Sequence, residues 1–415
     1  MLIQFSVTNF QCLKEKTTLD MRSVALSEHK KSLINGRLVS LASIYGPNGG
    51  GKTTILKAFS TLQALVIRHF NIVGGMKFIN DAPIIGLPIQ PFKFDEVSKN
   101  SPTEFEVYIE LANFEYKYNI SILNNKIIEE SLYYKKLNSK TIENIFERKK
   151  DNIHLDKEFE HTVKVANNIS SGMPVLAWLG LVYDIEPIKC VINWFRQTYC
   201  VDYNMPFMEE LLLNNIYQLE FTNDDRSAKI KNKIIELLSD MDLNIKSYRV
   251  EKIPRGNDQF NIKVNTEHRI DGRRYELDLQ EESNGTKKIF GLLPLFIVAI
   301  NEGRTIVIDE LDAKIHPMLL KFILKMFADS EINSKGAQLI FTSHDMMTMT
   351  NEIFRRDEIW FIAMTDKQYS MLYSLIEMRT ENGELVRSDA VYNKQYIEGR
   401  YGADPYLKAI KNWEH

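Results

Sequence analysis

Apolar and polar residues alternate from Leu2 to Val7, and an extended stretch from Thr17 to Met21 follows a short turn, so the chain is predicted to open with a β-hairpin. The apolar run Leu38 to Tyr45 predicts a buried strand. It leads through a glycine-rich loop into Ile55, Leu56, Phe59, Leu62, Leu65 and Val66, which recur at helical spacing. From about Gly86 to Tyr134, runs such as FEVYIEL and YKYNISIL, parted by turns such as Asn124-Asn125, predict an antiparallel subdomain. From Thr141 to Asp242 helical patterns take over, with apolar clusters at Val175 to Ile185, Ile188 to Phe195 and Ile230 to Leu238. Strand patterns return between Lys246 and Leu279. Helix and strand then alternate: Lys287 to Ile300, Thr305 to Ile308, Leu319 to Ala328, Gln338 to Thr342, followed by strand-like runs at Glu358 to Ala363 and Gln368 to Leu375. That alternation implies a largely parallel sheet covered by helices. The expected division is 1–135 and 246–415 as two parts of one α/β unit, with 136–245 as a helical insertion between them. Neither an internal repeat nor a long heptad run is present, which excludes a long coiled-coil arm.

The 415 residues allow about two or three domains, and 44% hydrophobic with 26% charged residues is an ordinary globular composition. Against 52 basic residues stand 55 acidic ones, so attraction to nucleic acid or anionic lipid needs a local patch. Cys12, Cys190 and Cys200 are odd in number and lack a C-x-x-C spacing, which argues against a disulfide framework or a cysteine zinc site and favours a reducing compartment. The first residues lack the basic and apolar regions of a secretory signal. The longest apolar run, Ile289 to Ile300, is interrupted by Pro294 and falls short of a membrane span. A cytoplasmic protein without membrane contact is expected.

Gly46-Pro47-Asn48-Gly49-Gly50-Gly51-Lys52-Thr53 satisfies G-x-x-x-x-G-K-[ST], and with Thr54 it forms the expected nucleotide-binding segment. Such a loop needs glycines because backbone N–H groups must close around phosphate oxygens while the next helix directs its positive end at the same anion. Lys52 would neutralise the β- and γ-phosphates of ATP, and the Thr53 hydroxyl would ligate Mg²⁺. Thr305 to Glu310 is an apolar strand ending in two acids. Asp309 would hold the metal through water, and Glu310 would polarise the attacking water.

Two further segments follow in a fixed order. Glu282-Ser283-Asn284-Gly285-Thr286 precedes a long apolar helix, and Thr342-Ser343-His344-Asp345 ends the strand after the acidic pair. A glycine loop, Ser-x-Gly at a helix start, Asp-Glu and then a lone histidine resemble the ATP-binding cassette (ABC) superfamily. The resemblance implies a P-loop ATPase head with an antiparallel β subdomain and a helical insertion, working as a homodimer or higher even-numbered oligomer. It also implies that Ser283 and Gly285 of one subunit cap the γ-phosphate held by the other, that His344 contacts that phosphate, and that Asp312 takes the D-loop position. Gln90, before PFKFD, is the candidate metal-contacting glutamine. ES-x-GT at 282 to 286, DELDAKIHP at 309 to 317, FTSHD at 341 to 345 and YIEGRYGADP at 396 to 405 are similar to bacterial AAA-type ATPases related to the OLD family and to the RloA, AbiLi and AriA abortive-infection proteins. The VTNFQCL start resembles the opening strand of SMC and RecF heads, with Gln11 where many relatives carry a basic residue. This implies a nucleotide-driven switch in anti-phage defence that controls a separate effector. A DNA-repair or chromosome-maintenance ATPase and a nucleotide-stabilised scaffold are the alternatives.

About seventy residues follow His344 and contain no D-x-D pair, too little for a second, nuclease core. Arg148 to His154 has the spacing of some ribonuclease motifs but is set aside for want of a supporting helix pattern. Lys135, Lys136, Lys140, Arg148, Lys149, Lys150 and Lys157, beside Tyr133 and Tyr134, could track a nucleic-acid backbone, yet interspersed acids favour a solvated face. Arg400 and Tyr401 could contact a partner or order the tail.

Overall fold

A computed structural model describes residues 1–73, 89–160, 169–205, 208–217, 225–241, 243–256, 259–379 and 383–403. The opening hairpin, β1 (Leu2–Thr8) and β2 (Thr17–Asp20), pairs antiparallel as the alternation predicts. β3 (Leu41–Tyr45) leads into α1 (Lys52–Val73); Gly86, the expected start of the subdomain, lies outside the described residues. After a single turn, α2 (Glu96–Lys99), come β4 (Thr103–Leu111), β5 (Phe114–Leu123), β6 (Lys126–Lys136), β7 (Glu143–Lys149) and β8 (Asn152–Leu155). With the hairpin they form an antiparallel sheet of order β2-β1-β4-β5-β6-β7-β8.

The middle segment is not the purely helical unit that its periodicity suggests. Its first strands, β7 and β8, continue the antiparallel sheet. Then follow α3 (Lys157–Glu160), α4 (Val175–Val182), α5 (Glu186–Gln197), a short strand β9 (Tyr199–Asp202), α6 (Met208–Tyr217) and α7 (Asp225–Asp240). Hydrophobic patterning missed β7 because Arg148 occupies an inward position. The side chain is 1% exposed, and its guanidinium donates to the carbonyls of Lys150 (2.9 Å) and Met173 (3.0 Å). The buried cation thus holds the 170–173 turn and contributes nothing to a surface for nucleic acid. Nearby, Lys135 pairs with Glu115, and the Tyr133 and Tyr134 hydroxyls bond to Glu147 and Glu143.

Three antiparallel strands, β10 (Ile245–Gly256), β11 (Gln259–Ile270) and β12 (Arg273–Asp278), precede α8 (Asn284–Glu302). α8 is buried on every side from Lys288 to Ile300, as expected of a helix apolar all round. Then come β13 (Thr305–Asp309), α9 (Pro317–Ala328), β14 (Gln338–Thr342), β15 (Ile359–Met364), β16 (Ser370–Ser374) and α10 (Tyr392–Ile397).

The central sheet has the order β16-β15-β3-β14-β13-β9, parallel except for β16. Period-two alternation divides its side chains between two cores. Leu41, Tyr45, Ile306, Ile308, Leu339 and Phe341 face α8 and α9, together with α6, α7 and β10. Ala42, Ile44, Val307 and Ile340 face α1, α4, α5 and the antiparallel sheet. Phe59 of α1 meets Trp194 of α5 edge-to-face at 6.1 Å, and Gln63 donates to the Phe195 carbonyl at 2.7 Å. The middle segment therefore supplies part of both cores and one edge strand. Tyr401, 2% exposed, packs on Phe361 and orders the tail against β15, whereas Arg400 pairs with Glu398 at the surface; Asp404 and Pro405 of the GRYGADP motif lie outside the described residues. Among the described residues no helix is long and apolar enough to cross a membrane.

Replacing Arg148 with alanine leaves buried carbonyls unpaired and should lower unfolding free energy by about 2–3 kcal/mol. Exposed Lys149→Ala should change it by no more than about 0.5 kcal/mol. Paired denaturation curves test this; equal effects would refute the structural role of Arg148.

Candidate nucleotide site

Parallel strands end at one edge of a sheet, so the loops after β3, β14, β13 and β9 converge there. Gly46 leaves β3 against β15: a Cβ would stand 2.2 Å from the Ile362 carbonyl oxygen, so no side chain fits. Gly51 has φ 105°, and its Cβ would meet Ser370 Oγ at 2.7 Å and Cys12 Sγ at 3.0 Å. α1 begins directly afterwards and presents the positive end of the helix to the loop. Lys52 curls across the loop, its Nζ donating to the carbonyls of Gly46 (2.8 Å) and Pro47 (3.1 Å). Burial pulls its pKa down, while the carboxylates of Asp309, Glu310 and Asp312 push it up.

Asp309 ends β13 and is 3% exposed. Its Oδ2 accepts from Thr53 Oγ1 at 2.8 Å and from Asn204 Nδ2 at 3.1 Å, and its Oδ1 accepts from Thr342 Oγ1 at 2.5 Å. The Thr342 hydroxyl in turn accepts from the Glu310 N–H at 2.7 Å. Glu310 sits at φ 51°, a left-handed conformation uncommon outside glycine and asparagine. Its carbonyl points inward and accepts from Lys288 Nζ at 2.7 Å. Two residues on, Asp312 Oδ2 accepts from the His344 N–H at 3.1 Å, while Asp312 Oδ1 is buried without a hydrogen-bond partner among the described residues. The His344 side chain is exposed at the rim.

Ser283 caps α8, its Oγ accepting from the Thr286 N–H at 3.1 Å, and is itself exposed. Gly285 packs so closely on the turn after β13 that a Cβ would stand 2.7 Å from the Lys314 carbonyl oxygen. Among the described residues no hydrogen bond joins Ser283 or Gly285 to the glycine loop of the same chain. Within the loop, Asn48 and Gly49 are exposed, Gly50 donates to the Pro47 carbonyl, and Thr54 Oγ1 lies 3.4 Å from Cys12 Sγ. Gln90 is exposed beside that N-terminal turn, its carbonyl accepting from Gln11 N–H at 2.7 Å; no hydrogen bond ties its side chain to Thr53 or Asp309.

Asn204, Lys288 and the Thr342 hydroxyl escaped sequence reasoning. Thr342 stands in the quoted FTSHD run and was legible as a strand end; Asn204, 105 positions from Asp309, carried no local signal. Lys288 opens an apolar helix and is 2% exposed, and burial lowers its pKa to about 8. The residues present fit a nucleotide with a divalent cation. Thr53 and Asp309 offer hard oxygens 2.8 Å apart, and Lys52 is a nearly buried cation whose hydrogen bonds among the described residues go to carbonyls, at the mouth of a helix N-terminus.

Solved structures similar to the chain include an SMC head domain from Thermotoga maritima, at 14% identity, covering 90% of this chain and 98% of that one with a TM-score of 0.43. Another is an Smc head bound to the C-winged helix domain of ScpA, at 14% identity, 90% and 97% coverage and a TM-score of 0.46. A third is an Smc head with an extended coiled coil bound to the C-terminal domain of ScpA derived from Pyrococcus furiosus, at 13% identity, 90% and 96% coverage and a TM-score of 0.42. No curated protein matches the chain significantly in sequence. A family model matches residues 41–172 and 197–349, well over half of the length and including the glycine loop, the Ser283 helix, the acidic pair and His344. The chain belongs to that family, described as an AAA domain, putative AbiEii toxin of a type IV toxin–antitoxin system.

Proposed function

We propose that this α/β P-loop protein hydrolyses ATP with Mg²⁺ and uses the cycle as a switch in anti-phage defence, acting on a separate effector protein. The observation that carries the enzymatic part is the hydrogen bond from Thr53 to Asp309, which joins the phosphate-binding loop to the acidic strand end with Glu310 beside it. Gly46 to Thr54 and Lys52 bind the phosphates. When bound, Mg²⁺ screens and orients them. Thr53 and Asp309 supply its protein oxygens, Glu310 accepts the proton of the attacking water, and His344 hydrogen-bonds the γ-phosphate from the rim. Gln90 joins the metal shell if the N-terminal turn closes on the loop.

Ser283 and Gly285 lie at an exposed helix N-terminus without a bond to their own glycine loop, which suits capture of the γ-phosphate held by a second copy. The site is then composite, and the two copies close over ATP and part after hydrolysis. The likeness to the OLD, RloA, AbiLi and AriA group, carried by 282–286, 309–317, 341–345 and 396–405, motivates the defence role and the separate effector. The family's description contains the word toxin, which motivates the contrary reading that this chain is itself the toxic partner. We favour control of another protein because the glycine loop, Ser283, the acidic pair and His344 all serve the ATPase in this reading.

Glu310→Gln should keep ATP affinity and slow turnover by about a hundredfold or more, because the amide keeps the shape but accepts no proton. ATP-loaded dimers should then accumulate in size analysis, and full turnover in this variant would sink the assignment. Lys52→Ala and Ser283→Arg should each be inactive, yet mixed they should regain about one working site per heterodimer. No recovery at any ratio would count against shared sites. Purified protein with Mg²⁺ or Mn²⁺ and ATP should leave plasmid, single-stranded DNA and tRNA intact; cleavage abolished by Asp309→Ala would favour the toxin reading.

A further inference from the structure

Lys288 lies in a helix otherwise filled with Ile289, Phe290, Leu292 and Leu293, where a methionine or leucine would pack without loss of hydration. It forms no ion pair among the described residues. Its Nζ instead donates to the carbonyls of Glu310 (2.7 Å) and Ala313 (2.9 Å) and lies 4.2 Å from the centroid of the Tyr203 ring. A buried ammonium is costly unless carbonyl dipoles and a ring face replace its water, so the bonds it makes call for an explanation.

Both carbonyls belong to the turn that starts at Glu310. The left-handed backbone there costs about 1 kcal/mol for a residue with a Cβ. It persists because both sides of Glu310 are pinned, the N–H by Thr342 and the C=O by Lys288. Released on the carbonyl side, the residue can relax to an ordinary conformation, and its carboxylate swings with it. Gly285 packs on the same turn one helical turn earlier.

We propose that Lys288 is a positioning residue for Glu310, locking the 310–314 turn to the start of α8 so that the general base moves together with the exposed Ser283 end. This rests on the reading of Glu310 given above. A helix that shifts when Ser283 meets a phosphate carries the Glu310 backbone with it through Lys288, and Tyr203 links the same ammonium to β9 at the sheet edge.

Lys288→Met in the full chain removes the donor and keeps the volume. Deleting a buried charge offsets part of the cost of leaving the Glu310 and Ala313 carbonyls without their donor, so the melting temperature should fall by no more than a few degrees. ATP affinity and KM should stay within about threefold while kcat falls by about tenfold or more, since a displaced base loses rate and not binding. Lys288→Arg, which keeps charge and donors, should recover part of the loss. If the methionine variant does not fold, Tyr203→Leu decides, with a smaller fall in kcat at unchanged KM expected. Turnover within about twofold of the unaltered protein in the folded variant, with Glu310→Gln silent, overturns the positioning role and leaves the reading of Glu310 intact. Full turnover in Glu310→Gln overturns that reading and this inference with it.

Discussion

Four strand ends meet at one carboxylate. Asp309 closes β13, and around it Thr53 follows β3, Thr342 closes β14 and Asn204 follows β9, all within hydrogen-bond distance. Strand order makes this possible, because β14 lies between β3 and β13, and β9 flanks β13 on its other side. A carboxylate buried to 3% exposure is tolerable only when its oxygens are hydrogen-bonded, and three polar donors supply that. Two of the donors come from segments more than a hundred residues distant along the chain, so the site exists only after the whole sheet has closed.

The middle of the chain takes its importance from the same geometry. Gln63 of α1 donates to the Phe195 carbonyl beside the Trp194 contact, which fixes the helix after the glycine loop against α5. On the other face α6 and α7 pack against α8, and the turn after β9 places Tyr203 over Lys288 and Asn204 against Asp309. A segment that supplies an edge strand, parts of both cores and two site contacts cannot move without disturbing the acidic pair. Any partner docked on α6 or α7 is therefore mechanically close to Glu310.

What could be read from the sequence followed the range of the forces involved. The glycine loop, Asp309-Glu310 and Ser283 are local, since steric demand, a strand end and a helix cap are each written in a few neighbouring residues. The parallel sheet followed from alternation, and Ser283 caps α8 as its type and place suggest. Reasoning failed where a polar residue faces inward. Arg148 broke the apolar count of β7 because part of its satisfaction comes from the Met173 carbonyl, 25 residues away. β9 was too short, at four residues, to stand out between helices. Lys288 lies near the start of the helical pattern at 287–300, and nothing nearby in sequence announces that Glu310 turns its carbonyl toward it.

The charges at this edge constrain how a nucleotide enters. Asp309, Glu310 and Asp312 all act on Lys52 strongly enough to offset part of the burial that lowers its pKa. Bringing a polyphosphate to the glycine loop therefore sets several negative charges against three carboxylates, with one ammonium and a helix N-terminus, equivalent to about half a charge, on the other side. In a site screened poorly from within, that balance disfavours the bare anion. In the proposed reading, a divalent cation held by Thr53 and Asp309 would offset part of that repulsion, and Glu310, outside that pair of ligands, would stay free to accept a proton. Under that reading the acidity of the strand end would favour a nucleotide that arrives with its metal over the bare anion.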